Sequence, residues 1–229
     1  MVFLGLRYPG PASRRVATDH GTKGGFNYPK EHVGLSRHCP PAPEVRKESK
    51  GRSTDAEDGS FKLSMPYATD CTFAKVGGGQ DDFQTAKHLV SKWKHFQLGW
   101  STVDESTGTT KGSPVCVCAN ILGIWIRNPL EIVYIEESVD ARNFSGNEAV
   151  KKRYSFAHGC LDGHLLAGEE AFIVELRNDD SVWFGVNTFS KPAHPLAVVS
   201  YPVVRLLQWR FAHDATKTMK REVRKAKER

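Results

Sequence analysis

Between Arg153 and Pro192 the chain reads RYSFAHGCLDGHLLAGEEAFIVELRNDDSVWFGVNTFSKP, and the residues able to do chemistry crowd its first half. His158, Cys160 and His164 place three soft-metal donors within seven residues. A zinc site needs four converging ligands, or three and a water. A spacing of two puts His158 and Cys160 on one strand face, but His164 lies beyond a turn at Gly163 and no Cys-x-x-Cys pair accompanies them. A strand end followed by a tight turn is the better reading, and no metal is expected.

His164 with Glu169 and Glu170 is the stronger acid–base candidate, because a carboxylate can hold an imidazole in one tautomer or share its proton traffic. If both glutamates lie in one strand, only one faces inward. An inward carboxylate in an apolar cavity is held neutral or pairs with His164 or an arginine. The expectation is that His164 and Glu170 line a cavity mouth; a salt bridge that pins the hairpin is the favoured competitor. The candidate catalytic groups are therefore His164, Glu169 and Glu170. The candidate ligand contacts are His158, His164, Glu170, Trp183 and Phe184.

Other signals are weaker. The chain has no nucleophile elbow, P-loop or dinucleotide fingerprint, and no cofactor is expected. Gly77-Gly78-Gly79 lacks the Lys-Ser/Thr of a phosphate loop, and Asp81 and Asp82 place negative charge where an anion would sit. Cys116 and Cys118 alternate onto one face and read as packing, as do Trp93, Phe96, Trp100, Trp125, Trp183 and Trp209, with the wall of an apolar pocket as the alternative for some of these aromatics.

These groups have to be positioned by a body of 229 residues with 39% hydrophobic content, enough for one domain with extra segments. Residues 217–229 carry seven Lys/Arg against Glu222 and Glu228, which accounts for all but one unit of the net +6. The basicity thus belongs to a tail, read as a solvated, fraying helix end, through which an anionic membrane surface or nucleic acid could be met. Five cysteines without framework spacing and no charged leader before the first apolar residues point to a reduced, intracellular, cytoplasmic setting, with a plastid-type segment at residues 1–23 as the alternative. The apolar runs fall short of the ~20 residues a bilayer demands.

Residues 36–60 are rich in Pro, Ser and charge and read as a disordered insertion, between a partly docked segment at 1–35 and a domain at 61–216. Asp81 is the expected N-cap of a helix over Phe83–Leu98, whose Phe83, Ala86, Leu89, Val90, Trp93 and Phe96 recur at helical spacing, with Gly99 beyond its end. From Trp100 to Phe189 the period is two, over 100–104, 115–126, 131–137, 154–160 and a hairpin turning at Asn178–Ser181. Pro202 then opens a long helix with Val203, Leu206, Leu207 and Phe211 as its buried side. This order is α+β: a curved antiparallel sheet of about five to seven strands gripping the final helix, with a hollow between them.

The stretch Phe156-Ala157-His158-Gly159-Cys160-Leu161-Asp162-Gly163-His164, then Gly168-Glu169-Glu170, Val182-Trp183-Phe184, Phe189-Ser190-Lys191-Pro192 and Tyr201-Pro202-Val203 through Gln208, resembles the uncharacterised UPF family of plant and bacterial proteins built on a domain of unknown function. The bacterial pattern F-A-Y-G-T-L-P-G-H-P-x-x-G-E-E has a Tyr, a Thr and two prolines where this chain has His158, Cys160, Asp162 and Leu165. The resemblance covers about residues 25–35 and 73–220. It implies a START-like, helix-grip fold, whose members commonly bind apolar small molecules and in some cases are cyclases or hydrolases. The expectation is a binding module for an apolar or amphipathic small molecule, with an enzyme using His164 and an adjacent glutamate as the alternative.

Overall fold

A computed structural model describes residues 2–38, 65–139 and 150–228. Among them, eight strands form one antiparallel sheet: β1 (Phe3–Gly5), β2 (Ala68–Gly78), β3 (Ser101–Thr102), β4 (Pro114–Ile121), β5 (Ile124–Val139), β6 (Val150–Cys160), β7 (Leu166–Arg177) and β8 (Ser181–Pro192). Their order is β2-β8-β7-β6-β5-β4-β3, and β1 pairs with the start of β5 beside β6. The helices are α1 (Pro11–Gly24), α2 (Gly79–Ser91), α3 (Pro195–Val199) and α4 (Tyr201–Lys227). The sheet curls around α4, the helix-grip arrangement that the order of elements implied.

Alternation divides the sheet into two working faces. The inner face carries Leu130 and Ile132, then Phe156, Phe172 and Val174, then Val182 and Phe184, all buried against α2 and the second half of α4. The outer face is covered at one side by α1, where Ala17 and Phe3 pack on Cys116 and Cys118 with the two sulfurs 3.8 Å apart. Its central part is covered by residues 26–38, whose apolar members Phe26, Tyr28 and Val33 pack against Phe189 and Ala171.

Several local expectations are corrected. The helix expected over Phe83–Leu98 ends at Ser91, because Trp93 turns left-handed at φ 57° to bury its indole, whose Nε1 donates to Thr107 O at 2.9 Å. Gly78, not Asp81, is the N-cap; Asp82 secures the helix start by accepting from Gly78 N–H at 2.7 Å. The strand expected over 115–126 is a hairpin with Leu122 and Gly123 at its tip. No strand was foreseen for residues 68–78, nor any element for 3–24.

The long last helix is present, but its buried side is shifted. Val203 and Leu206 are 50% and 61% exposed, while Phe211, Ala215, Met219 and Val223 are buried. The first turns of α4 overhang the open end of the sheet, and its later turns fill the closed end. The fraying expected from residue 217 does not occur: the helix runs to Lys227, anchored by Met219 and Val223 in the core and by Lys227 Nζ on Asp82 at 2.9 Å. Most of the insertion expected at 36–60 lies outside the described residues. Ser36, Arg37 and His38, assigned to it, are instead folded against the sheet, with Ser36 fully buried.

Candidate functional site

The inner face is filled by aromatic side chains at one end only. Toward the ends of β6 and β8 the residues shrink to Cys160, Thr188 and Ser190, and α4 does not close the space. A cavity of about 180 Å³ remains between sheet and helix. Its apolar wall is Phe96, Trp100, Val117, Leu130, Leu166 and Phe211. Its polar wall is His158, His164, Glu170, Thr188, Ser190 and Gln208.

His158 and Glu170 are direct cross-strand partners on β6 and β7, and His158 Nε2 lies 3.1 Å from Glu170 Oε2. The imidazole is buried and stacks near Trp93 and Phe172. His164 sits on the β6–β7 turn, held by Leu166 N–H donating to its Nδ1 at 2.9 Å, so the neutral ring carries its proton on Nε2. Burial, and then the neighbouring His158, push its pKa down to about 3. Burial, reinforced by the charges of Glu170 and Glu169, pushes the Cys160 thiol up, so it stays protonated rather than acting as a thiolate ligand or nucleophile. Among the described residues no three His, Cys, Asp or Glu are arranged to hold a metal.

The far wall belongs to α4. Gln208 Nε2 donates to Ser190 Oγ at 2.8 Å, Arg205 donates to Gln208 Oε1 at 2.8 Å, and Arg205 also reaches Asp70 at 2.7 Å. This relay ties the helix to β8 and β2 across the cavity's edge. Trp100 Nε1 donates to Asp214 Oδ2 at 3.0 Å and fixes the opposite lip.

The structure brings His158, His164 and Glu170 together, but the imidazole that meets Glu170 is His158 and not His164. Glu169 is not a cavity acid. Its carboxylate turns to the outer face and accepts from Tyr28 Oη at 2.9 Å, Gly34 N–H at 2.6 Å, and Ser36 Oγ and N–H at 2.6 and 3.3 Å. Burial still outweighs these bonds and raises its pKa. Trp183 and Phe184 also miss the cavity. Trp183 faces outward under the Arg177 guanidinium, 4.3 Å from its ring, and Phe184 is packed solid near His95. Four residues of strand, roughly 14 Å, separate Phe184 from Thr188. Sequence reasoning missed Thr188, Ser190 and Gln208; the small polar residues ending the inner register of β8 were the signal.

The outer-face clamp was also missed. Arg153 and Glu175 form a buried pair at 3.2 Å, Arg153 donates to Arg37 O at 2.9 Å, and Asn187 Nδ2 donates to Ser36 O and His38 O at 2.9 and 2.7 Å. Polar residues alternating along a strand read as a wet face when the chain that covers them is far away in sequence.

A family model described as "Domain of unknown function (DUF1990)" matches residues 54–218. The chain is similar to a UPF0548 protein of Arabidopsis thaliana, 31% identical over 223 residues that cover 97% of this chain and 98% of that one. It is similar to a UPF0548 protein of Dictyostelium discoideum, 29% identical over 159 residues, 65% of this chain and 69% of the relative. Among solved structures it is similar to TTHA0849 from Thermus thermophilus, at TM-score 0.45 and 13% identity over 70% of this chain and 99% of that one. A point mutant of Thalictrum flavum norcoclaurine synthase gives TM-score 0.44 at 12% identity, over 72% and 99%.

Proposed function

The chain belongs to the DUF1990 family, and from that premise we propose that it is a binding module whose cavity takes a small amphipathic molecule, its apolar body against Phe96, Trp100, Leu130 and Phe211 and its polar group on the His158–Glu170 side. One observation carries the reading. His158 and Thr188 are more than nine-tenths buried in the cavity wall, and His158 Nδ1 and Thr188 Oγ1 have no hydrogen-bond partner among the described residues. A buried polar atom left unpaired costs about 1–3 kcal/mol, so the site favours a guest with a donor or acceptor at this point over a wholly apolar one. The size of the hollow limits the guest: a cavity of roughly 150 Å³ takes a benzene-sized molecule.

Native mass spectrometry of protein purified from its own cells tests this. The expected result is a retained non-covalent molecule that disappears in Ala119→Phe, which fills the cavity, and persists in Trp183→Ala on the outer face. Protein from its own source that carries nothing overturns the reading.

Catalysis in the same cavity is the second reading, favoured by the hydrogen-bonded imidazole–carboxylate pair in the cavity wall. It assigns proton transfer to His158, oriented by Glu170, instead of to His164. Turnover that survives His158→Gln would exclude it.

A further inference from the structure

We propose that the open end of the cavity is a docking surface for an anionic lipid bilayer. The register of the sheet defines that end. Ala119, which lines the cavity, pairs with Ile126, and Ile126 pairs with Leu4, so all three share the inner face. Beyond them Ile124, Leu6 and the hairpin tip carry the apolar surface outward, with Leu6 83% and Leu122 97% exposed. Across the opening, Leu207 lines the cavity from α4, and Val203 and Leu206 beside it face solvent, followed by Val199 of α3 at 83% exposure. Aliphatic side chains thus rim the mouth from both sides.

Leu122 is the most telling of them. Its φ of 51° is the left-handed conformation that side chains other than Gly, Asn and Asp rarely adopt, and the turn is held there by Gly123 N–H on Asn120 Oδ1 at 3.0 Å. Neither packing nor solubility accounts for a leucine in that place. An exposed apolar rim of this kind marks a site that something covers.

Charge says what covers it. The three stretches that build this end, residues 2–18, 112–130 and 189–213, contain seven Lys/Arg and not one Asp or Glu. The carboxylates that neighbouring segments bring to it are engaged: Asp70 by Arg205 at 2.7 Å, Asp104 by Arg14 at 3.9 Å, Asp214 by Trp100 and Arg210 at 3.0 and 3.4 Å, and Asp162 by His20 at 3.2 Å. This leaves Arg7, Arg127 and Lys191 as the cations of these stretches outside such pairs among the described residues. Aliphatic side chains projecting between cations match the boundary of an anionic bilayer, where acyl chains take the first and headgroups the second. A second copy would set like charge against like charge, and a nucleic acid would leave the leucines uncovered. The surface is separate from the basic tail, since α4 carries residues 217–227 to the opposite end, beside Asp82.

Co-sedimentation with vesicles of phosphatidylcholine, with and without phosphatidylserine, tests the proposal on the full chain. Binding is expected only with phosphatidylserine and should fall steeply with salt. The Leu122→Asp, Leu206→Asp double variant, altered at exposed positions, should bind roughly tenfold more weakly with an unchanged melting temperature. Lowering the tail's net charge from +5 to +3 by Lys220→Gln and Lys225→Gln should leave binding in place. No association of the wild type, undiminished association of the double variant, or loss with the tail variant would each overturn the idea. The readout is independent of whether the cavity holds a guest, so it stands or fails apart from the binding function.

Discussion

His158 and Glu170 face each other across the β6–β7 ladder with Nε2 and Oε2 3.1 Å apart, at the point where the packed half of the inner face gives way to the cavity. The pair therefore belongs to both halves: its imidazole is stacked in the core and its carboxylate reaches open space. Glu170→Leu removes the acceptor and strands a buried ring nitrogen, and should cost about 1–3 kcal/mol in urea unfolding. Glu170→Gln, which keeps an acceptor, should cost less than half of that. Equal losses would mean that the hydrogen bond contributes nothing.

Glu169, its neighbour in sequence, works on the other face. Glu169→Ala leaves Tyr28, Gly34 and Ser36 without their shared acceptor and should cost about 3 kcal/mol. Hydrogen exchange should show residues 28–38 opening while α2 and α4 stay protected. The pH dependence has a definite sign: a carboxyl raised in the folded state contributes most below its ordinary pKa, and that stability is lost as pH rises through the raised value. Glu169→Gln should remove this downward slope.

Two neutral histidines act in the opposite direction. His164, pushed down to about 3, and His95, held well below its usual value by burial, resist protonation in the fold but take protons freely once unfolded. Stability should therefore be full above pH 6.5 and fall as the solution is acidified, by no more than about 1.4 kcal/mol per pH unit for each ring. Chemical denaturation between pH 7 and 4 (about the range where free imidazole titrates) measures the slope, and His164→Gln should flatten it.

The basic end of the last helix is structural. Met219→Ala should cost roughly 2–5 kcal/mol, the usual range for emptying a buried methionine site. Guanidinium unfolding reads this directly, and a change under half a kcal/mol (roughly the surface-substitution range) would show that residues beyond 217 fray after all. For the same reason, truncation after Thr216 is a poor test of the tail's charge, because it also removes Met219 and Val223 from the core.

Period-two patterning from Trp100 onward marked the strands that follow it but not β1 or β2: Phe172, Val174 and Leu176, then Val182, Phe184 and Val186, alternate along their strands and are all buried on the inner face. The site was legible in part. His158, His164 and Glu170 stood out as titratable residues inside β-patterned sequence, whereas Thr188, Ser190 and Gln208 looked like ordinary polar positions. Val203 and Leu206 were misread because helical spacing tells which residues share a face but not where along the helix the partner surface stops.

What the sequence determined by itself was the set of local choices: alternation that makes a sheet, 3.6-residue spacing that makes the gripped helix, a turn at Asn178–Ser181, and the rule that Glu169 and Glu170 must part to opposite faces. Tertiary structure decided which face each glutamate received and what it met there. The register of β6 on β7 set His158 against Glu170, and a segment more than a hundred residues earlier supplied the donors for Glu169. Such pairings depend on distances between residues remote in the chain, which local propensity does not encode, and the hollow depends on where the helix stops filling the curl of the sheet.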